Sequence, residues 1–385
     1  MKTRLSGTTS WSRLFFRRPA TNNAEESYYA ASHWKLMLRK LMKHKLARIS
    51  LYVLAMMYLM VIFANIIAPQ GLDSYDSENL NSRPSKLHWV DPQGNFHFIP
   101  FVYGLKSSRD PVTLRKIFVE DKQKWYPIQF FVKGTEYKFL GLIPGNVHLF
   151  GVEDPGRIFV FGTDSLGRDL FSRIVLGSQV SLTIPLVGVS ISFFLGLLIG
   201  GISGYFGGFI DTVIQRVIEI IRSFPTLPLW MALSAAIPPR VPIVHMFFYI
   251  TIIMAFIEWT ELARVVRSKF MALRNEDYVM SARISGVSNA RIIRVHLVPG
   301  FMSYLVVTMT LAIPAMIIGE TAMSFLGLGI RSPAASWGVL LQEAQQMENV
   351  ALYPWKLIPL GFVIITVLAF NFLGDGLRDA ADPYK

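Results

Sequence analysis

The sequence of 385 residues contains no cysteine. This absence excludes disulfide bonds, metal sites built from thiolates and a cysteine nucleophile. It neither requires nor excludes an oxidising compartment, because many proteins without disulfides function in such compartments. Any chemistry of the chain must therefore come from other residue types.

Charged residues are also scarce, at 17% of the chain, whereas hydrophobic residues make up 52% and the mean hydropathy is +0.40. This composition indicates a membrane protein. The net charge of +12 fits either nucleic-acid binding or basic cytoplasmic segments, so the placement of the basic residues must decide. Of the 38 Lys and Arg, 11 precede residue 49, which predicts a basic cytoplasmic segment over residues 1–47.

Motifs for nucleotide hydrolysis and for common hydrolytic chemistry are missing. The sequence contains no G-x-x-x-x-G-K-[ST] phosphate loop, no H-E-x-x-H and no G-x-S-x-G. The glycines of GLGIRSPAASWG lack the strand-turn-helix context of a nucleotide fold. We therefore predict that the chain is not an enzyme and that it binds no metal and no cofactor itself.

Long apolar stretches are abundant, and a membrane-spanning helix needs roughly 20 such residues. The first stretch is too long for a signal peptide and no A-x-A site follows it, so we expect a retained anchor. The fold predicted is an all-α polytopic membrane protein with six transmembrane helices, the last five forming a core over residues 181–374. The six stretches are 48–68, 181–203, 217–237 (interrupted by Pro225 and Pro228), 242–260, 299–320 and 355–374.

Basic residues cluster before the first span and in the segment 261–298, whereas the short segments near 238–241 and 321–354 have only Arg240 and Arg331. By the positive-inside rule, the N-terminus and the segment 261–298 are cytoplasmic. Six crossings then return the tail, residues 375–385, to the cytoplasm.

The segment between the first two spans has a different composition. Residues 69–160 contain strand-like stretches such as YPIQFFVKG and RIFVFG, separated by the turn signals DPQGN and IPGN. We predict a small external β-rich insertion there, followed by a motif segment, 161–180, before the second span. A disordered linker is the alternative, but the aromatic content argues against it.

Four glycines, Gly196, Gly200, Gly204 and Gly208, are spaced by four residues at the end of the second span. On one helix face, this spacing lets another helix approach closely. Ordinary packing within one bundle is the preferred interpretation, and the identity of the close partner is open.

Ionisable residues inside the spans are few. Glu258, Glu261 and Glu320 lie near span ends, Asp375 follows the last span, and His245 occurs early in the fourth. Ion-coupled transporters keep such groups near the middle of the membrane. Their scarcity argues against ion-coupled transport.

The cytoplasmic stretch DYVMSARISGVSNARIIRVHLVP, residues 277–299, predicts two short helices joined at Gly286. Asn275 or Asp277 is expected to cap the first helix and Ser288 the second, while Pro299 marks the start of the next span. Four apolar residues in this stretch are too few for a core. Such an amphipathic elbow fits lipid headgroups or a groove on a partner protein, and spacing alone favours neither. The four apolar residues are Val279, Ile292, Ile293 and Val295.

The elbow resembles the cytoplasmic loop of ABC importer permeases, a helix-Gly-helix element that docks into the ATP-hydrolysing subunit. Four further stretches resemble motifs of the dipeptide/oligopeptide/nickel branch, and the chain is similar to its second, C-type permease. They are FGTDSLGRDLFSR at 161–173, GYFGGFIDTVIQRVIEIIRSFPTLPL at 204–229, GETAMSFLGLGIRSPAASWG at 319–338 and VLAFNFLGDGLRDAADP at 367–383.

The resemblance implies a subunit of the bacterial inner membrane that pairs with a homologous permease. It also implies two ATP-binding subunits that hold ATP-Mg, an external solute-binding protein and no nucleic acid. The residues that it assigns to ATPase docking are Tyr278, Met280, Ser281, Ala282, Arg283, Gly286, Val287, Ile292 and Pro299. Those that match the other family motifs are Gly162, Thr163, Asp164, Gly167, Arg168, Asp169, Phe325, Gly327, Gly329 and Asp375.

Two departures from the family stand out. Met280-Ser281-Ala282 replaces the usual Glu-Ala-Ala of the docking loop, so that Arg283 becomes the candidate for any charge-dependent coupling. The external insertion is longer than in plain dipeptide permeases. Peptides, nickel chelates and oligosaccharides all remain possible cargoes, and the ranges 224–236 and 314–326 are expected to line the pathway, since proline and glycine interrupt helices there.

Two other classes of function remain as alternatives. A channel or ion-coupled carrier would transport without ATP, and a membrane-anchored enzyme would have activity in residues 69–180. The five matched motifs favour the importer permease over both.

Overall fold

The computed structural model describes residues 33–91, 93–109, 111, 116–238 and 241–382. Most of the predicted basic segment 1–47, and Arg240, therefore lie outside the described residues. The described chain begins with three helices, namely α1 (His33–Lys43), α2 (Lys45–Ile62) and α3 (Ala64–Ile67).

Five strands follow, and they confirm the β-rich insertion. The first three strands form one antiparallel sheet, and the last two form a separate hairpin. The stretch RIFVFG, residues 157–162, is not a strand, because the backbone of Phe159 bonds to Ser85 instead of to a neighbouring strand. The strands are β1 (His88–Val90), β2 (Phe96–Arg109), β3 (Lys116–Pro127), β4 (Gln129–Phe139) and β5 (Ile143–Gly151).

The remaining chain is helical. Within the described residues, five helical segments are long and apolar enough to cross a membrane, in agreement with five of the six predicted spans. The helices are α4 (Leu170–Phe206), α5 (Gly208–Arg222), α6 (Thr226–Ala235), α7 (Ile243–Leu273), α8 (Asp277–Ile284), α9 (Asn289–Arg291), α10 (Met302–Phe325), α11 (Trp337–Ala344), α12 (Met347–Leu352) and α13 (Ile358–Ala381).

Helix α4 begins well before the predicted start at residue 181. Asp169 caps it, because its carboxylate accepts a hydrogen bond from the backbone N–H of Ser172 at 2.8 Å. Residues 170–180 of the motif segment 161–180 therefore form the first part of this helix instead of preceding the span.

The third predicted span, 217–237, is wrong as a single helix. The helices α5 and α6 meet at a break at Ser223, Phe224 and Pro225. Pro225 cannot donate a backbone hydrogen bond, and it disfavours helical geometry at the residue before it. Pro228 is tolerated because it lies in the first turn of α6, where backbone N–H groups need no helical partner.

The broken helix nevertheless crosses the membrane. Ser192 Oγ on α4 donates to the carbonyl of Ala255 on α7 at 3.1 Å, and further along both helices Gly204 faces Arg267. The residue numbers of the contacting positions therefore rise together along both helices, so α4 and α7 are parallel. The chain between them must return across the membrane through α5 and α6, which brings the number of crossings to six.

Both ends of the described chain lie on the same side of the membrane. Gly376 near the end of α13 packs against Ala47 at the start of α2. Lys40 Nζ donates to the carbonyl of Asp382 at 3.1 Å. This contact agrees with an even number of crossings between α2 and α13.

Three of the four spaced glycines form the contact between α4 and α7. Gly196, Gly200 and Gly204 face α7 so closely that a Cβ atom at Gly204 would lie 2.5 Å from the carbonyl oxygen of Arg267. The close partner is therefore a helix of the same chain. Including Gly208 was wrong, because it begins α5 with φ +59°, and a Cβ atom added there would have no neighbouring atom within 4 Å.

We expect Gly200→Ala to lower the free energy of unfolding by about 1–3 kcal/mol, because the added methyl group meets the backbone of Ala263. The matched variant Gly361→Ala adds a methyl group on α13 where no atom lies within 4 Å, so it should be neutral or slightly stabilising. Thermal unfolding in detergent measures both effects. Equal midpoints for the two variants would contradict the close packing of α4 and α7.

Candidate docking surface and pathway

The predicted elbow is present, and Gly286 forms its hinge. Gly286 has φ +75°, a conformation that favours glycine, directly after α8. The N–H of Val287 donates to the carbonyl of Ala282 at 3.1 Å, and the N–H of Gly286 donates to that of Arg283 at 3.1 Å. These two bonds form a Schellman motif, which ends α8 and redirects the chain into α9.

The predicted cap of the first elbow helix is wrong, whereas Ser288 lies at the predicted cap position of the second helix. Glu276, not Asn275 or Asp277, occupies the cap position of α8, and Ser288 occupies that of α9, but neither side chain makes the capping hydrogen bond. Pro299 lies in a 3₁₀ turn, Val298–Phe301, directly before α10, in agreement with its predicted place at the start of a span.

The inner face of the elbow belongs to a core, contrary to the prediction. Val279 and Ile292 are fully buried and pack in one cluster with Phe270 of α7 and with Phe301 and Leu305 at the start of α10. Periodicity in the elbow alone could not show this, because the residues that complete the core come from distant parts of the sequence. Ile292 therefore supports the elbow from within, and the structure does not place it on the docking surface.

Tyr205, which sequence reasoning missed, joins the elbow to the end of α4. Its hydroxyl donates to Asn289 Oδ1 at 2.7 Å, and the Arg283 guanidinium lies over its ring at 5.6 Å from the centroid. The side chain is only 6% exposed. Arg283 thus contacts α4 of its own chain, and Tyr205 contacts both helices of the elbow. The only available sequence signal was the position of Tyr205 in the motif GYFGG.

The outer side of the elbow exposes three apolar side chains. Ile284 is 84% exposed, Tyr278 45% and Met280 41%. Ile284 was not among the predicted docking residues, although it is the most exposed apolar side chain of the elbow. Of the other predicted docking residues, Ala282 and Val287 are half-buried, and those that are exposed are Ser281, Arg283, Gly286 and Pro299.

Basic residues near the elbow also hold the helix ends together. Arg267 of α7 donates to both carboxylate oxygens of Asp211 on α5, at 2.5 and 2.6 Å. Arg274 donates to the carbonyls of Gly204 and Tyr205 at the end of α4. The positive charge that indicated a cytoplasmic loop therefore also binds α4, α5 and α7 to one another.

At the opposite side of the membrane, the motif segment before α4 forms a tight loop. Thr163 Oγ1 donates to the carbonyl of Asn79 at 2.5 Å and accepts from the N–H of Ser82 at 2.7 Å. Gly162 and Gly167 both have positive φ, and a side chain on either would collide with the backbone of residues 76–82. The motif thus holds the chain that leads from α3 to β1.

Four charged residues beside this loop form a nearly buried ionic cluster. Asp164 accepts from Arg168 Nε at 2.7 Å and from Arg173 Nη1 at 2.6 Å, and both arginines also bind Glu343 of α11. Burial lowers the pKa of Arg168, but the carboxylates of Asp164 and Glu343 more than offset it, so the net direction is upward. The sequence predicted Asp164 and Arg168 as motif residues, but not the pairing with Arg173 and Glu343.

The motif 319–338, which begins in the last part of α10, also contributes to packing. Gly327 has φ +77°, and a Cβ at Gly329 would lie 2.6 Å from the backbone nitrogen of Ser324. Glu320 is fully buried and accepts hydrogen bonds from Ser324 Oγ at 2.8 Å and Ser181 Oγ at 3.3 Å. Phe325 is half-buried in the main core, and Asp375 is exposed on α13, which continues past it.

Two cavities lie among the helices near the predicted pathway. A cavity of about 370 Å³ opens between α4, α7 and α10, and its lining includes Ser192, Tyr304 and Ala315. A smaller one of about 90 Å³ touches Phe224. Glu258 lines both cavities. The ranges 224–236 and 314–326 each reach a cavity, and their role in the pathway stays a prediction. Among the described residues, no group of His, Asp and Glu is arranged to hold a metal ion.

Comparison with known proteins covers nearly the whole chain. The family described as "Binding-protein-dependent transport system inner membrane component" matches residues 196–384, and "N-terminal TM domain of oligopeptide transport permease C" matches residues 32–84. The chain is 29% identical over 370 residues to the oligopeptide transport system permease protein OppC of Bacillus subtilis, with 95% of each chain covered.

Other relatives are similar over shorter parts. The chain is 40% identical over 271 residues to OppC of Haemophilus influenzae, covering 69% of this chain and 80% of the relative. A solved structure of the MetNI methionine ABC transporter in an inward facing conformation shares 19% identity, covers 55% of this chain and 97% of that chain, and gives a TM-score of 0.43.

We expect Arg173→Ala to lower the free energy of unfolding by about 3–5 kcal/mol, because Asp164 and Glu343 then lose a buried partner. The control is Arg216→Ala, which breaks a pair with Glu219 whose side chains are 74% and 60% exposed, and which should cost at most about 1 kcal/mol. Thermal unfolding compares the two. Similar midpoints would contradict a structural role for the cluster.

Proposed function

The chain belongs to the family of inner membrane components of binding-protein-dependent transport systems, and from that premise we propose that it carries peptides as the C-type permease of an ABC importer. It is a transport subunit and not an enzyme. The names of the relatives, oligopeptide transport permeases, support a peptide cargo over an oligosaccharide or a nickel chelate.

The observation that carries the coupling role is the two-sided elbow. Its inner face is buried against α7 and α10, and its outer face exposes Tyr278, Met280 and Ile284. An amphipathic element of this kind fits a groove on a partner protein. The ATP-binding subunit is the partner that we assign to this face, with ATP-Mg held by that subunit and not by this chain.

Movement of the docked elbow would reach the membrane helices through direct contacts. Tyr205 links both elbow helices to α4, and the glycine contact links α4 to α7. Helices that are packed as closely as a protein interior move together, because such packing cannot be deformed gradually. We therefore propose that closure of the ATP-binding subunits displaces α4 and α7 as one unit and so alternates access to the pathway.

The complete assembly has three further kinds of subunit in this proposal: a homologous second permease, a pair of ATP-binding subunits and an external solute-binding protein. Both termini are assigned to the cytoplasm. The basic residues Lys35, Arg39, Lys40 and Lys43 of α1, together with those around the elbow, support this orientation.

Replacing Gly286 with valine should uncouple transport or release the ATP-binding subunit, because a β-branched residue cannot adopt φ +75° without strain. Gly286→Asn is the matched control, since asparagine tolerates this conformation. Copurification of the ATP-binding subunit and ATP-dependent uptake into proteoliposomes are the readouts. Normal coupling in the valine variant would refute the elbow as the docking element.

Ile284→Asp should weaken binding of the ATP-binding subunit by about tenfold or more, because an exposed apolar side chain at the centre of an interface contributes at least about 1–2 kcal/mol. The permease itself should stay folded, since this side chain makes little contact with the rest of the chain. Ile284→Leu preserves the apolar surface and serves as the control. Unchanged affinity of the aspartate variant would place the interface elsewhere.

Uptake of a labelled oligopeptide by the reconstituted importer should require ATP and should be inhibited by unlabelled peptides, but not by oligosaccharides. Inhibition by oligosaccharides alone would reject the peptide assignment. Uptake that persists without ATP and follows an ion gradient would reject the importer mechanism.

A further inference from the structure

The hairpin of β4 and β5 ends in an apolar turn. Phe139 pairs with Ile143 across the hairpin, and Leu140, Gly141 and Leu142 lie between them. Leu142 is 83% exposed, and Leu140 and Ile143 are each 62% exposed. Leu140 and Gly141 have φ +50° and +75°, positions that asparagine, aspartate or glycine usually occupy in a turn that faces water. Five consecutive residues without a polar side chain indicate an apolar environment instead.

The turn lies against the end of the first membrane span. The ring of Phe139 stacks on that of Phe63, with centroids 6.0 Å apart and an interplanar angle of 23°. Asn65 Nδ2 donates to the carbonyl of Lys138 at 3.3 Å. Counted from Arg48 near the start of α2, a hydrocarbon core of about 20 helical residues ends near residue 67. The turn is therefore at the edge of the hydrocarbon core on the side of the β strands.

An exposed apolar stripe on α2 leads directly to this turn. Ile49, Tyr52, Met56, Leu59 and Phe63 recur at intervals of three and four residues, and each is more than 40% exposed. Among the five described helices that are long and apolar enough to cross a membrane, α2 has the smallest buried share. An uncharged stripe of this kind on a spanning helix is suited to contact lipid, and the hairpin turn extends the same surface beyond Phe63.

We propose that residues 139–143 insert into the membrane leaflet on the side of the β strands and anchor the β-rich insertion to lipid. Apolar side chains of the turn occupy the boundary of the hydrocarbon, while the adjacent Lys138 extends its ammonium group toward the lipid phosphates. The anchor fixes the height of the β strands above the membrane helices. It is independent of the cargo and of the coupling mechanism.

Spin labelling tests the insertion directly, because the chain has no cysteine of its own. Leu142→Cys is labelled in the full importer reconstituted in nanodiscs of phosphatidylethanolamine and phosphatidylglycerol. Met56→Cys on the α2 stripe provides the lipid reference, and Lys122→Cys on β3 provides the water reference. Unsubstituted chain in the same complex measures any background from the other subunits.

The measured quantity is the ratio of collision rates with oxygen, which concentrates in lipid, and with a water-soluble nickel chelate. At position 142 we expect a ratio several-fold above that at position 122 and close to that at position 56. A ratio equal to that at position 122 would show a turn in water and overturn the proposal. Shielding from both reagents would show that a protein subunit covers the turn, and would overturn it as well.

Discussion

The close parallel contact between α4 and α7 is the constraint on which the rest of the structure depends. Three glycines on α4 let the two backbones approach, and the direction of the contacts obliges α5 and α6 to carry the chain back across the membrane. The same contact brings the ends of α4 and α7 together, where Arg267 and Arg274 bind Asp211 and the last carbonyls of α4. The elbow is built on these joined ends. A defect in the glycine contact would therefore displace the elbow as well as the helices.

The elbow combines a glycine hinge with firm attachment. Gly286 supplies a backbone conformation that few residues accept, and the Schellman hydrogen bonds determine the angle between its helices. Val279 and Ile292 bury the inner side, and Tyr205 contacts both helices. With its position fixed from within, the outer side is free to present Ile284 and its neighbours. A partner that binds there thus acts on a surface with little freedom to move alone.

The sequence alone predicted the features that a single segment determines. It did not predict the features that depend on contacts between distant segments. Apolar length alone predicted five spans, and Gly286 was identifiable because glycine adopts a positive φ at the end of a helix more readily than other residues do. The break at Pro225 was visible as a proline, but its effect on the number of crossings required the parallel packing of α4 and α7. The burial of Ile292 and the pairing of Arg173 with Glu343 depend on side chains from other segments of the chain, which no local pattern contains.

The ionic cluster also bears on the order in which the protein is made. Asp164, Arg168 and Arg173 are synthesised well before Glu343, so until Glu343 is added the cluster holds two guanidinium groups and a single carboxylate. This surplus positive charge lies on the side of the membrane that carries the β strands. Charge balance is reached only after the segment with α11 has crossed the membrane. The segment that contains α11 therefore supplies the last charged partner for the start of α4.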